Sequence, residues 1–427
     1  MNEIRKYFKK WLILLGVLLL NGALIALLAI PAVQPAQAAP KRTRTPRPTA
    51  TQSPVHTPTQ TPLAATPTPT GPICWSVVPA PAVPGYGARL LAIAGSSDND
   101  IWAVGWFLEN NSRHNLALHW NGLAWERVPV PDVVPDRINA LNGVAVIAPN
   151  DVWAVGYAVG TSYKTVTLHW DGKAWQVVPS PNLTRPGSYN ALNAVVVISS
   201  NDVWAVGGVP IGLGVPDGRA LLMHWDGSAW QLFPEPPEVI NWYTTTRFGV
   251  AARASNDVWA VGQFAAWHWD GSTWSVPSEF GSGQNLLAAS ASGGTLWTAG
   301  TNPGQATTHS YIPASPNAQF LNGTTWQTTS PVFNPAIDTG FYSIKVLSPS
   351  NVWAVGFADK FVLTERWNGS QWTRVEAANG NPNPPADQAY GNRLYAVNGT
   401  ATGLWAVGSF DDAAGVERIL IERHTCK

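Results

Sequence analysis

The sequence predicts an all-β fold, a seven-bladed β-propeller with four antiparallel strands per blade and an N-terminal strand completing the last blade. Three observations predict it. Seven near-copies of a Trp-Ala-Val-Gly phrase recur, with their tryptophans at Trp102, Trp153, Trp204, Trp259, Trp297, Trp353 and Trp405, spaced by 51, 51, 55, 38, 56 and 52 residues. A unit of about 50 residues is propeller-sized and cannot bury its own apolar surface, so the copies must stack. Each copy divides into four short apolar segments between turn residues, and the last copy ends one segment short.

The second repeat leads into the next unit with an apolar run over residues 191–198, a polar turn at 199–202, and the phrase at 203–207. Composition and bounding turns make these strands. A third segment ends in His-Trp-Asp-Gly (residues 169–172, 224–227 and 268–271). A fourth runs from a tryptophan to a proline (residues 175–179, 230–234 and 274–277). Four strands make one blade. The first strand carries small residues at matched positions, namely Ala92, Gly143, Ala194, Gly249, Ala288, Ser343 and Ala396, which suits the crowded strand nearest the axis. The bulkier tryptophans fall on later strands, where wedge-shaped blades diverge.

The missing fourth strand of the last repeat stands at the other end of the domain. Residues 73–79 match residues 173–179, and the last repeat stops at residues 422–427. Aligning Glu422 and Arg423 with Glu365 and Arg366 puts Cys426 at the place of Gly369 and Cys74 at that of Gln371, two positions of one tight turn within disulfide reach. The only two cysteines of the chain are therefore expected to latch the ring.

Residues 1–38 read as an export signal peptide. Arg5, Lys6, Lys9 and Lys10 precede an apolar run over residues 11–30, and Ala36, Gln37 and Ala38 form a small-residue cleavage site. A run of that length also spans a bilayer, so an uncleaved anchor is the alternative. Residues 39–72 repeat Thr and Pro after a basic start and cannot bury a core. Extended as polyproline II at about 3.1 Å per residue, they reach on the order of 100 Å and read as a linker or stalk. The folded domain is 73–427. The expected location is extracytoplasmic, secreted or tethered at a bacterial cell surface, with membrane contact only through the N-terminal segment if it is uncleaved.

The chain carries 26 basic and 26 acidic residues, with no Lys/Arg block inside the folded part, which argues against a nucleic-acid partner. His119, His169, His224 and His268 recur once per repeat. They are spread around the ring rather than convergent, so half-buried imidazoles bonding within their blades are expected and no metal site. Asp100, Asp151, Asp202 and Asp257 precede the phrase at one turn, where an Asx-type turn would use them on local backbone donors. No Gly-x-Ser-x-Gly phrase, phosphate loop, His-Glu-x-x-His or Cys-x-x-Cys occurs, and no cofactor is expected. Asp132, Asp136, Glu235, Asp338 and Asp387 are candidate acid/base carboxylates, but their spacing selects no pair.

Once the framework tryptophans and Trp11 are set aside, Trp106, Trp242 and Trp267 remain. Trp106 and Trp242, with Tyr243, belong to long connections expected to open on one face of the ring, opposite the face of short, invariant turns. The same face receives Tyr86, Tyr157, Tyr189, Phe357 and Tyr390, with Arg89, Arg137, Asn139, Asn190, Arg247, Asn392 and Arg393 nearby. Aromatics with amide and guanidinium donors suit a sugar or peptide surface; the plainer alternative is that the aromatics pin long loops onto the blades.

Period, strand order and the glycine-tryptophan framework resemble the kelch-like propellers, including the central domain of the galactose-oxidase family, over residues 73–427. The usual double glycine is reduced here to the single glycine of the phrase. The resemblance implies the fold. The family's copper centre uses a tyrosine cross-linked to a cysteine, and both cysteines here are taken by closure, so no copper chemistry is implied. Residues 270–274 also resemble the Asp box of sialidase-type propellers, a structural turn between third and fourth strands, although the leading serine is absent. The functional expectation is a monomeric, non-catalytic recognition module for a surface protein or glycan. The alternatives are a carbohydrate-active hydrolase or lyase acting at the channel mouth, and a purely structural surface module.

Overall fold

The computed structural model describes residues 73–184, 190–208, 220–234, 247–262, 266–277, 285–306, 311–384, 391–400 and 402–426. The expected leader and the Thr/Pro-rich linker lie outside these residues. All regular structure among them is β.

Leu192–Ser199, Asp202–Gly208, Ala220–Trp225 and Trp230–Phe233 show the repeating unit, an antiparallel meander in which each strand pairs with the next. Five sheets have four strands each. An eight-stranded sheet joins two further meanders, one opening at Gly87–Ser97 and one at Ile138–Ala148, through a single parallel pair, Arg113 with Ile138. A small two-stranded sheet, Gln305–Ala306 with Tyr311–Ile312, stands between the second and third strands of the fifth repeat.

The phrase glycine has a steric cause. A Cβ on Gly105 would lie 1.9 Å from the Arg89 carbonyl oxygen, and one on Gly156 would lie 1.9 Å from that of Ala140. The first strand of each repeat comes this close because it bulges there: the register passes from Leu90 opposite Gly105 to Ala92 opposite Val104, leaving Leu91 over. The small residue after the bulge is equally constrained, since a Cβ on Gly249 would stand 2.8 Å from the Ala288 Cα of the next inner strand.

Indole contacts join the repeats to one another. The phrase tryptophan of each repeat meets the fourth-strand tryptophan of the following one edge-on: Trp102 with Trp175, Trp153 with Trp230, Trp204 with Trp274, Trp259 with Trp326, Trp297 with Trp372, and Trp353 with Trp75, at centroid separations of 5.2 to 5.7 Å. Trp405 of the last repeat meets Trp125 of the first at 5.5 Å, so the series closes on itself. Burying one such indole is worth on the order of 4 kcal/mol at about 25 cal/mol per Å².

The other face of each phrase tryptophan carries the residue opposite it on the third strand. His119, His169, His224 and His268 stack on Trp102, Trp153, Trp204 and Trp259 at 4.4 to 4.7 Å. Phe320 does so on Trp297, while Arg366 and Arg423 lie over Trp353 and Trp405. The histidines bond within their sheets, each Nε2 lying 2.7 to 3.0 Å from Asp100, Asp151, Asp202 or Asp257. These aspartates were expected to cap their own turn. They reach across the sheet instead, because Asp and Trp two residues apart share one face and the histidine sits opposite that Trp. The Asx role falls to the later turn, where Asp171 Oδ1 accepts from the N–H groups of Lys173 and Ala174.

The N-terminal strand Trp75–Val77 completes the last sheet, pairing Trp75 with His424 and Val77 with Glu422. Cys74 and Cys426 are disulfide-bonded with a Cα separation of 4.9 Å and a sequence separation of 352. A bridge closing so long a loop is worth about 2 to 5 kcal/mol. Cys426→Ser is therefore expected to lower the free energy of unfolding by that amount, and the denaturant midpoint with it, and adding a reductant to the unaltered protein should give the same loss. An unchanged midpoint would mean that strand pairing alone closes the ring.

Candidate functional site

Each bulge turns its extra residue toward the axis. A channel holding about 400 Å³ is lined by the inner strands, and its lining includes all seven bulge residues: Leu91, Asn142, Asn193, Phe248, Leu287, Tyr342 and Tyr395. A bulge re-aims a side chain without ending the strand. The ring of bulge residues is uneven, with the two tyrosines on adjacent inner strands.

The residue after the phrase glycine is equally uneven. It is Phe357, Trp106 or Tyr157 in the sixth, first and second repeats, Ser409 in the seventh between them, and Gly208 and Thr301 in the third and fifth. These aromatics join the channel tyrosines in one continuous arc. Tyr157 stacks on Tyr163 at 5.6 Å and accepts a hydrogen bond from Arg113 Nη1 at 3.0 Å. The Arg113 guanidinium lies 4.3 Å from the Trp106 ring centroid, and that of Arg89 lies 5.4 Å from it. Arg89 also lies 4.9 Å from Tyr395, which packs on Tyr342 at 5.1 Å, and Tyr342 packs on Phe357 at 5.2 Å. Arg393 over Phe357 ends the arc at 4.8 Å.

Charge in the arc is partly neutralised. Arg89 Nε donates to Glu417 Oε1 at 2.6 Å, and Ser409 Oγ donates to the same oxygen at 2.6 Å. Burial works against the Arg89 charge, but Tyr395 and Glu417 outweigh it and raise its pKa. Burial lowers that of Arg393, whose Nη1 donates to the carbonyls of Asp359 and Asn392. Arg113 Nε is buried with no hydrogen-bond partner among the described residues. Burial also raises the pKa of Asp411, beside Glu417.

Of the residues expected on the binding face, Arg89, Trp106 and Arg393 belong to the arc, with Trp106 only 6% exposed. Tyr86 is exposed, its hydroxyl 3.3 Å from Asn111 Oδ1. Asn139 and Asn392 are fully buried and hold loops: Asn139 Oδ1 accepts from Val133 and Val134, and Asn392 is tied to both backbone groups of Asn381. Tyr189, Trp242 and Tyr243 lie outside the described residues, as does the Arg247 side chain. Arg113, Tyr342, Tyr395 and Glu417 were missed; the signal for the two tyrosines was their place just before the matched small residue.

Among the described residues the candidate carboxylates Asp132, Asp136 and Asp338 each stand in different surroundings. Asp132 binds His114 Nδ1 at 2.6 Å and the Asn115 N–H, Asp338 accepts from the Ala314 N–H, and Asp136 is exposed. Glu235 and Asp387 lie outside the described residues. Among the described residues no three His, Cys, Asp or Glu side chains are grouped to hold a metal ion.

Two other carboxyls, on equivalent third strands, are fully buried. Burial lifts Glu365 from 4.5 to about 7, although the Val332 N–H donates to it, and burial alone lifts Glu422 well above the ordinary range.

No family model matches the chain, and no curated protein matches it. Solved structures do. The chain is similar to YCF48 bound to a D1 peptide at 16% identity and a TM-score of 0.52, covering 83% of this chain and 96% of that one. It is similar to the WD40 β-propeller domain of Doa1 at 10% identity and a TM-score of 0.47, covering 81% and 96%. The extracellular domain of a one component system from B. thetaiotaomicron matches at 8% identity and a TM-score of 0.49, covering 81% of this chain and 39% of that one. The likeness to YCF48 shows the fold, a β-propeller.

A carboxyl whose pKa is raised by folding stabilises the protein while protonated. The contribution of Glu365 is full below pH 4.5 and is lost as the pH climbs to about 7. The loss is about 3 kcal/mol at 1.36 kcal/mol per pKa unit. Glu365→Gln should flatten this part of a stability profile measured between pH 4.5 and 8; a profile of unchanged slope would show that the carboxyl is not held protonated.

Proposed function

We propose that the chain is an exported, seven-bladed recognition propeller that binds a protein or glycan partner on the aromatic and arginine arc. Counting the two halves of the eight-stranded sheet separately, since one residue pair joins them, supports seven blades. Residues 1–38 act as leader or anchor and 39–72 as the stalk that holds the ring away from a surface; the latching disulfide supports an extracytoplasmic setting. The chain works as a monomer.

The arc carries the reading. Around a ring built by repetition, stacked aromatics and guanidiniums gather on four neighbouring repeats, the sixth, seventh, first and second, whereas Gly208 and Thr301 stand at the matching places elsewhere. Partly exposed aromatics on a rigid sheet, with charged donors between them, give contact area at little entropic cost. A solved propeller of this fold, YCF48, is described with a D1 peptide bound, which favours a peptide segment of a protein as the occupant.

The test is retention of the purified protein on arrayed peptides and cell-surface glycans, with released reducing or unsaturated ends recorded together. Replacing Tyr342 and Tyr395 by Ala should weaken retention at least tenfold, while Leu123→Ser, on a short turn between third and fourth strands, should leave it unchanged. Equal loss in both variants, or none in either, would remove the arc as the site. Release of sugar ends would replace recognition by catalysis.

A further inference from the structure

The channel offers a second feature, at a different level of the wall from the arc's two tyrosines. Three residues beyond each bulge, the inner strand places a residue opposite the phrase tryptophan. In four repeats this is Ala94, Ala145, Val196 or Ala251. In the three remaining, which are consecutive, it is Ser290, Lys345 or Asn398. All of them line the channel. One level of the wall is thus apolar over four repeats and hydrogen-bonding over three.

The polar sector is rich in donors. Lys345 is the one ionic side chain among the described residues lining the channel, and among the described residues its ammonium has no ionic or hydrogen-bond partner. Ser290 Oγ accepts from the Val346 N–H at 3.1 Å, which leaves its own O–H to donate. Asn398 Oδ1 accepts from the Gly399 N–H at 2.7 Å, while its Nδ2 has no partner among the described residues. Ser343, two residues before Lys345, repeats the pattern of Ser290, accepting from the Val397 N–H at 3.2 Å. Among the described residues no carboxylate lines the channel to answer these donors.

A lysine in such surroundings is costly unless something neutralises it. Burial lowers its pKa, with no partner acting the other way. Retaining a charge there without a counter-charge works against folding, and a bound anion would offset the cost.

We propose that the channel is a binding site for a small oxyanion, a phosphate or a carboxylate, held by Lys345 between the Ser290 hydroxyl and the Asn398 amide. The 400 Å³ channel admits a small molecule of this kind or the anionic end of a longer one. The apolar wall over the other four repeats would face the remainder of the ligand.

The proposal is tested by titrating the purified protein with inorganic phosphate and, separately, with malonate, against sodium chloride at matched ionic strength, reading the unfolding temperature and the heat of binding. The expected result is a saturable rise in unfolding temperature and about one anion bound per chain in at least one series. Phosphate alone or malonate alone assigns the oxyanion class. Lys345→Met should weaken that binding at least tenfold. The double variant Ser290→Ala with Asn398→Leu keeps the lysine and should weaken it several-fold, which provides the answer if Lys345→Met does not fold. No response beyond chloride, or equal responses in the unaltered protein and the variants, would overturn the site. Either result leaves retention on the arc unaffected, because Tyr342 and Tyr395 are unchanged.

Discussion

Edge-to-face contact between a phrase tryptophan and the fourth-strand tryptophan of the next repeat is the interaction on which the ring depends. A four-stranded meander alone has two large apolar faces and no stable way to cover them. Placing one indole from each neighbour at right angles fills the wedge between diverging sheets with the least side-chain entropy, since an indole has two rotatable bonds. The contact between Trp405 and Trp125 is the same as the six before it, so the last repeat meets the first through the same device. The side chain on the other face of the phrase tryptophan varies more freely. Histidine, phenylalanine and arginine all serve, because each presents a flat or cationic surface to a ring.

The bulge and the phrase glycine form one unit. Without a side chain at Gly105, the inner strand can press its Arg89 carbonyl into that space and carry one residue more than its neighbour. The scaffold thereby offers one variable side chain per repeat at the channel wall and another just after the glycine, at almost no cost to strand pairing. Repetition builds the frame, and departures from it at these two positions give the ring its sidedness. The arc arises in this way, and the donor sector arises from a third variable position, opposite the phrase tryptophan.

Periodicity made the frame legible from sequence. Strand order, the closing N-terminal strand and the cysteine pairing all follow from aligning one repeat on another, because a tryptophan in the wrong register would leave a void. The bulge leaves a fainter trace, the matched small residue that follows it, since every repeat has it and the period is unchanged. Tyr342 and Tyr395 therefore look like ordinary strand aromatics. Asn139 and Asn392 look like exposed donors because a polar residue at the start of a strand has the same appearance whether it meets water or a loop backbone. The partnership of Asp151 with His169 joins residues 18 apart, which local turn rules cannot see.

The closing strand also decides where tension enters the molecule. The chain arrives at the outermost strand of its last sheet, Trp75–Val77, only three residues long, with Cys74 immediately before it. A pull from the N-terminal side would meet the disulfide first and pass directly to Cys426, near the other end of the chain. The three-residue strand and the Trp75 indole behind it would be spared that load. A load entering at Cys74 would therefore be carried by a covalent clasp rather than by the hydrogen bonds of the three-residue strand.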